Sequence, residues 1–302
     1  METDSVGGNR MLPGTALQDQ SQLVGGGAPA RPPVDRVDGY QLAHLVATQF
    51  NWEDLGVDPK VIPENCARVA GRFAHFRGLR DEPAAIIAYG DSLLQTWERI
   101  KDFKVIFSCS GSHKFLLERG IVPTYHVDSD PRTHKVVMLG TPHPDVTYLV
   151  SSICHPTYFD LLERHQIPKV LLWHLLFFEP HIYELFPRGE WLMTGGNTVG
   201  PRTVKMARLL GYTEQHLFGF DACSGYADFH PHAPKKLKPC EYDGKTYWTT
   251  HNWVEHAKWL FTDMDRMPEV KAHFYGEGLI QAMAKNYRRK AVHDFPMGII
   301  KT

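Results

Sequence analysis

From Pro83 onward the hydrophobic positions fall into short, nearly unbroken runs at 84–89 (AAIIAY), 104–108 (KVIFS), 124–128 (TYHVD), 146–152 (VTYLVSS), 169–173 (KVLLW) and 216–221 (HLFGFD). Between them lie stretches of helical spacing at 92–100, 112–119, 156–165, 180–186 and 198–210. Strand, helix, strand repeated in this way predicts an α/β fold with a doubly wound, mostly parallel Rossmann-like sheet. Continuous apolar strands fit a sheet covered by helices on both faces, and such sheets hold ligands at the carboxyl ends of their strands.

The flanks read differently. Residues 1–35 hold six Gly, four Pro and no aromatic side chain, a composition that buries too little apolar area to offset the entropy of ordering, so a disordered tail is expected. Residues 36–82 are expected to form a helical segment docked on the core. One helix runs from Asp38 through Tyr40, Leu42, Leu45 and Val46, and a second covers 62–76. The core domain is assigned to 83–225. Residues 226–302 are expected to complete the same domain as a C-terminal α+β extension: a His- and Pro-rich loop, a hairpin turning at Asp243-Gly244, a helix at 252–267, a strand at 270–275 and a helix at 277–287.

Charge and cysteine usage narrow the classes of function. Thirty-three Lys and Arg against 34 Asp and Glu leave a formal charge of -1, so no basic field is available to gather nucleic acid. The five cysteines are far apart and show no CxxC spacing, which argues against a disulfide framework or a zinc ribbon and for a reducing compartment. The longest apolar run, from Val170 to Phe178, contains His174 and is far shorter than the roughly 20 residues of a bilayer span, so no membrane insertion is expected. The N-terminal stretch has Glu2 and Asp4 in place of a basic region, which speaks against a secretory signal and for a cytoplasmic protein.

Three predicted strand ends carry candidate chemistry. At the first, Gly90 allows close backbone approach and Ser92 opens a helix whose free amides suit a phosphate; the alternative is an ordinary strand-to-helix turn with a capping serine. At the second, Asp128 and Asp130 stand one residue apart before Pro131 and Arg132, a spacing that can hold magnesium or manganese; the alternative is a capped loop with a structural salt bridge. At the third, Gly195, Gly196, Asn197 and Thr198 open a helix whose dipole favours an anion. His126, in the second of these strands, is a candidate general base, although no spacing selects it over His113, His155 or His174. The 17 histidines include no HExxH pair, and zinc is not expected. Trp173, Phe177 and Phe178 are expected in the core.

Taken in order, Gly90-Asp91-Ser92-Leu93, the segment from Leu116 through Gly120-Ile121-Val122-Pro123, Asp128-Ser129-Asp130-Pro131, Gly195-Gly196-Asn197, Ala207 through Gly211-Tyr212, and Leu217-Phe218-Gly219-Phe220-Asp221 resemble the 6-hydroxymethylpterin diphosphokinase MptE-like family, related to the core domain of the Maf motility accessory glycosyltransferases. Asp91 and Thr124 stand where the family pattern has Pro and Asp. The resemblance implies a nucleotide-binding transferase and adds Asp221 to the nucleotide-binding set. Its first implication is a glycosyltransferase using a CMP-sugar type of donor and an unknown acceptor. In that reading the turns at Gly90 and Gly195 hold phosphate, Asp128 and Asp130 bind metal or orient the ribose, and His126 activates the acceptor. The alternatives are an ATP-dependent hydroxymethylpterin-type diphosphokinase and a non-catalytic nucleotide-binding protein.

Overall fold

The computed structural model describes residues 58–74, 78–176, 182, 184–193, 198–224 and 237–288, together with the backbone of 36–37, 40–41 and 299–301. In chain order its elements are β1 (Arg36–Val37), β2 (Tyr40–Gln41), α1 (Val61–Arg68), β3 (Ala84–Ile87), α2 (Leu93–Thr96) continued by a 3-10 turn (Trp97–Asp102), β4 (Val105–Cys109), α3 (Ser112–Leu117), β5 (Tyr125–Asp128), α4 (Lys135–Leu139) and β6 (Thr147–Ser151). There follow α5 (Pro156–Arg164), β7 (Val170–Leu175), β8 (Trp191–Met193), α6 (Val199–Leu209), β9 (Glu214–Phe218), the hairpin β10 (Lys238–Tyr242) and β11 (Lys245–Thr249), α7 (His251–Asp265), β12 (Lys271–Tyr275), α8 (Leu279–Asn286) and β13 (Ile299–Lys301).

The sheet runs β12-β9-β3-β4-β5-β6-β7-β8-β13, parallel throughout except for β13, which pairs antiparallel with β8. This is the doubly wound α/β arrangement expected from the alternating runs. Successive strand residues face opposite layers. Ile86, Phe107, Val127, Leu149 and Leu217 pack with Val204 and Ala207 of α6 and Leu260 of α7. On the other face Ile87, Ile106 and Phe218 meet Leu93, Phe115 and Leu116, while Tyr148, Val150 and Leu172 meet Tyr158, Phe159 and Leu162 of α5. Two helix starts are held by side chains: His155 accepts from the Thr157 amide with Pro156 in the first turn, and Thr250 accepts from the Trp253 amide. Among the described residues no helix is long and apolar enough to cross a membrane.

Several boundaries differ from the sequence expectation. The helix expected from Asp38 does not include Tyr40 and Gln41, which form β2 and pair antiparallel with β1; residues 42–57 lie outside the described residues. The helix expected over 62–76 stops at Arg68, because at Gly71 the chain passes so close to β7 that an added Cβ would meet the Val170 carbonyl oxygen at 2.5 Å. Arg72 then pairs with Leu172, and the Phe73 amide donates to the Leu172 carbonyl at 2.7 Å. The helix expected over 92–100 tightens after Thr96, whose hydroxyl donates back to the Ser92 carbonyl. The short elements α4, β8 and β13 were not foreseen: Lys135–Leu139 reads as a β-branched fragment, and the two strands have three residues each. The tail 1–35, residues 180, 181 and 183 of the expected 180–186 helix, Phe177 and Phe178, and most of the 223–239 loop lie outside the described residues, and residues 184–186 form a turn and bend, not helix.

Where β3 and β9 end, the chain closes on Asp221. Its Oδ2 accepts from the Ser92 amide (2.7 Å), and its Oδ1 accepts from the Ser92 hydroxyl (2.5 Å) and from Gln281 Nε2 (2.9 Å). Gly90 lies against this group, its amide donating to the Gly219 carbonyl at 2.9 Å. A Cβ at position 90 would lie 2.5 Å from Asp221 Oδ2 and 2.6 Å from the Gly219 carbonyl oxygen. Gly90→Ala is therefore expected to lower unfolding stability by about 1–3 kcal/mol, the cost of forcing extra volume into a packed site. Chemical denaturation measures this, and an unchanged midpoint would show that the backbone there has room to yield.

Candidate functional site

The polar residues after β4 and β5 form one connected cluster at the carboxyl edge of the sheet. Asp128 ends β5, and its Oδ1 accepts from the amides of Ser129 (2.7 Å) and Asp130 (3.1 Å), turning the chain out of the strand. Asp130 then receives a forked contact from Arg132, with Nε at 2.8 Å from Oδ1 and Nη2 at 2.5 Å from Oδ2. Lys135, in the first turn of α4, lies 3.2 Å from Asp130 Oδ2 and donates to Ser110 Oγ at 2.9 Å, tying the end of β5 to the end of β4. Arg202, from α6, donates to Ser129 Oγ at 2.8 Å. Ser110 holds a positive φ of 54°, a left-handed conformation uncommon for a side chain with a Cβ. Arg132 is half exposed, while Lys135 and Arg202 are buried.

Burial and neighbouring charge divide the two carboxylates. Asp128 is 1% exposed, and burial pushes its carboxyl up to about 6 against the attraction of Lys135. For Asp130, burial also acts upward, but the Arg132 hydrogen bonds and the Lys135 and Arg132 charges outweigh it and bring the group to about 2. Burial lowers Arg202 to about 10, partly offset by Asp130 and other nearby anionic groups.

His126 does not reach the cluster's outer surface. It lies within β5, fully buried, with Nδ1 3.0 Å from Ser108 Oγ and its ring edge-on to His113 and Tyr148. Its Nε2 has no hydrogen-bond partner among the described residues and faces Asp128 Oδ2 at 3.9 Å. Burial, with the charges of His113 and Lys135, holds the imidazole well below its ordinary pKa and therefore neutral. The ring backs Asp128 from inside the sheet, so an acceptor cannot approach it directly.

The donor atoms do not fit the divalent cation expected between Asp128 and Asp130. Both oxygens of Asp130 are engaged by Arg132 or Lys135, and one oxygen of Asp128 is held by two amides. The geometry here is that of a capped loop with a salt bridge, the alternative recognised from the spacing. Gly90, Ser92 and Asp221 come together, with the Ser92 amide and hydroxyl bonded to the Asp221 carboxylate. Gly195, Gly196 and Asn197 lie outside the described residues; Thr198 precedes α6 in extended backbone, without a side-chain capping bond. Sequence reasoning did not single out Ser110, Lys135 or Arg202. The spacing of Lys135 after Asp130 was a readable signal, whereas the approach of Arg202 from α6 was not.

A second polar chain lies farther along the edge. Ser152 Oγ is 2.8 Å from His174 Nδ1, His174 Nε2 is 2.7 Å from Glu190 Oε2, and Glu190 is paired with Arg72 at 2.6 Å. His174 is 1% exposed, and burial lowers its pKa despite the Glu190 contact. A cavity of about 300 Å³ lined by Arg72, Trp173, His174, Glu190 and Trp191 adjoins it and shares no lining residue with the Asp128–Lys135 cluster. The cavity is mainly apolar-walled with Arg72 engaged by Glu190, whereas Arg132, Lys135 and Arg202 gather around one strand end, and this concentration of cations makes the cluster the candidate for an anion.

The family model described as 6-hydroxymethylpterin diphosphokinase MptE-like matches residues 60–226, more than half of the chain. The chain belongs to the MptE-like family. The matched region of this MptE-like chain runs from the start of α1 to beyond β9 and contains both the Asp128–Lys135 cluster and the Ser92–Asp221 junction. Among solved structures, the MptE-like chain is similar to the Maf glycosyltransferase from Magnetospirillum magneticum AMB-1, with a TM-score of 0.57 and 19% identity over 80% of this chain and 42% of that one. At that identity the likeness is one of fold, and the MptE-like chain spans less than half the length of its structural neighbour. No curated protein sequence matches it.

The raised Asp128 group has a signed consequence. Its folded pKa of about 6 exceeds the ordinary 3.8, so the folded state binds the extra proton, and stability falls as pH rises from about 4 to about 6. Asp130, held at about 2, acts in a different window: its contribution is complete above about 4 and is lost as pH falls toward 2. Asp128→Asn keeps the oxygen that accepts the two amides but cannot ionise. Relative to wild type it is expected to gain stability progressively between pH 4 and 6, by up to about 3 kcal/mol. Denaturant unfolding at pH 4, 5, 6 and 7 measures the difference, and a difference that does not change with pH rejects the assignment.

Proposed function

We propose that this protein is a nucleotide-dependent group transferase, and specifically a glycosyltransferase that takes a CMP-sugar type of donor. The observation that carries the reading is the pairing of Asp130 with both Arg132 and Lys135. It makes the carboxyl edge of β4 and β5 a site that presents cations to an incoming anion and leaves no pair of free carboxylates for a metal. A donor with a single phosphate can be held by Arg and Lys alone, whereas transfer of a diphosphate from ATP ordinarily relies on magnesium bridging the phosphate oxygens. Family membership and the fold shared with a Maf glycosyltransferase support a transferase of this kind.

In this reading Arg132 and Lys135 turn from Asp130 toward the donor phosphate and stabilise the charge that develops on it as the bond from the sugar carbon to the phosphate oxygen breaks. The acceptor hydroxyl forms the new bond to that carbon and gives up its proton. Asp128, 1% exposed while Arg132 and Lys135 lie over Asp130, takes it in this reading once those cations have turned aside, because a carboxyl raised to about 6 is ionised at neutral pH yet basic enough to accept. His126, neutral and behind Asp128, keeps that side of the carboxylate free of competing positive charge. The second reading, a diphosphokinase acting on a hydroxymethylpterin, is favoured by the description of the family itself.

Calorimetric titration with CMP, UDP, GDP and ATP, with and without magnesium or manganese, separates the readings. The expected result is CMP binding without added metal, weakened about tenfold or more by Lys135→Ala, the scale of one charge-assisted hydrogen bond. ATP-selective binding that requires magnesium would favour the diphosphokinase. Absence of any response would count against both.

A further inference from the structure

At the opposite end of the sheet from the cluster, on the amino-terminal half of the edge pair β9 and β12, three side chains converge that neither the family match nor the reading above employs. Glu214 and His216 are two apart on β9 and so face the same way, and His216 is the direct register partner of His273 on β12. Glu214 Oε1 lies 3.6 Å from His216 Nε2 and 3.8 Å from His273 Nε2, and the potential ligand atoms of all three residues lie within 4.8 Å of one another. Both separations exceed hydrogen-bond length. One carboxylate oxygen therefore stands between two imidazole nitrogens at the long end of ion-pair distance from each, an arrangement that also suits a shared central atom.

We propose that Glu214, His216 and His273 form a binding site for a divalent transition metal of the zinc class, joining edge strand β12 to β9. Bonds of about 2.0–2.1 Å to nitrogen and oxygen in tetrahedral geometry set ligand atoms about 3.3 Å apart, so the two measured separations need to close by only a few tenths of an ångström. His273 and Glu214 are about half exposed and can make that adjustment, while His216, with a 14% exposed side chain, is fixed by its surroundings. The two imidazoles stack at 4.5 Å with ring planes 18° apart, and both Nε2 atoms lie within 4 Å of Glu214 Oε1.

A second contact orients the central ligand. His216 Nδ1 lies 2.7 Å from Tyr275 Oη, so a proton on Nδ1 donated to the phenol oxygen leaves the Nε2 lone pair directed at the proposed site. Tyr275 is itself held by stacking on Phe218 at 4.2 Å and by the Arg99 guanidinium over its ring at 4.4 Å. Two imidazole nitrogens and one carboxylate are the donors of zinc, cobalt or nickel and a poor match for magnesium or calcium, which prefer oxygen. Three protein ligands leave a fourth position for water, an exogenous ligand or a side chain from another molecule.

The full chain, freed of metal with a chelator, is to be titrated with Zn²⁺ against a chromophoric competitor and with Co²⁺ while its visible absorption is followed. The expected result is one tight equivalent, a zinc-dependent rise in melting temperature with no effect of Mg²⁺, and a cobalt spectrum of low coordination number. His273→Ala and Glu214→Gln, both at half-exposed positions, are expected to remain folded by circular dichroism and to weaken binding roughly tenfold or more, with Tyr275→Phe weakening it about 10–100-fold through the orientation of His216. His165→Ala, an exposed histidine on another part of the surface, should bind as wild type. Wild-type affinity in folded His273→Ala, or no zinc uptake by the unmodified chain, would overturn the proposal.

Discussion

A carboxylate at 3% exposure stands where β9 ends, and segments 129 residues apart in sequence close around it. Burial alone disfavours the charged form of Asp221 and raises its pKa, but the Ser92 amide, the Ser92 hydroxyl and Gln281 all donate to it and reduce that cost. The consequence is topological. Strands β3 and β9 mark the point at which the sheet reverses its winding order, the usual crevice for a ligand in a doubly wound fold. Here the protein supplies its own anion to that crevice. Gly90 packs against the carboxylate and Gly278 against the Cα and Cβ of the same residue, leaving no room for added Cβ atoms, and Ser224 hydrogen-bonds to the neighbouring Asp91. The junction is thereby a fixed corner of the fold, and the polar surface open to chemistry is displaced by one and two strands, to the ends of β4 and β5.

At that displaced edge the charges are arranged in depth. Arg132 is on the outside, Asp130 and Lys135 beneath it, and Asp128 deeper still in front of a neutral His126. The inner carboxyl is shifted up and the outer one down for the same physical reason: both lose water, but only Asp130 recovers the loss through a forked guanidinium contact. Two carboxylates with one residue between them thus acquire different chemistry. One is a permanent anion that holds cations in place, and the other can gain or lose a proton near neutral pH.

The continuous apolar runs made the parallel sheet legible, because strands buried on both faces need no polar alternation and their sequence says so. The order of the strand-end motifs also carried the family. Pairwise chemistry between distant segments was not legible. Asp-x-Asp is compatible with a metal or with a capped turn, and the choice depends on Arg132 folding back onto Asp130 and on Lys135 being lifted by a short helix that its own Val136 and Val137 disguise. Ser92 could be read as the start of a helix, but that its amide is taken by Asp221 depends on β9 lying beside β3, a pairing of strands remote in sequence. The position of His126 near the end of the strand over 124–128 was legible, but not its full burial, which comes from β4 and β6 pairing with β5 on both sides.

The C-terminal elements bear on both ends of this arrangement through one residue. Gln281 of α8 donates to Asp221 and also to the Tyr275 carbonyl at 2.9 Å, while the Tyr275 phenol reaches His216 on β9. Strand β12 is therefore attached to β9 by five register pairs, by an aromatic stack of Tyr275 on Phe218, and by a glutamine that ends on the buried carboxylate of the core. Loss of β12 would expose the flank of β9 and take from Gln281 its second acceptor, the Tyr275 carbonyl that holds its amide beside Asp221. The segment after the hairpin is thus an integral part of the junction, because the buried charge of Asp221, near the end of the family-matched region, is satisfied in part from outside that region.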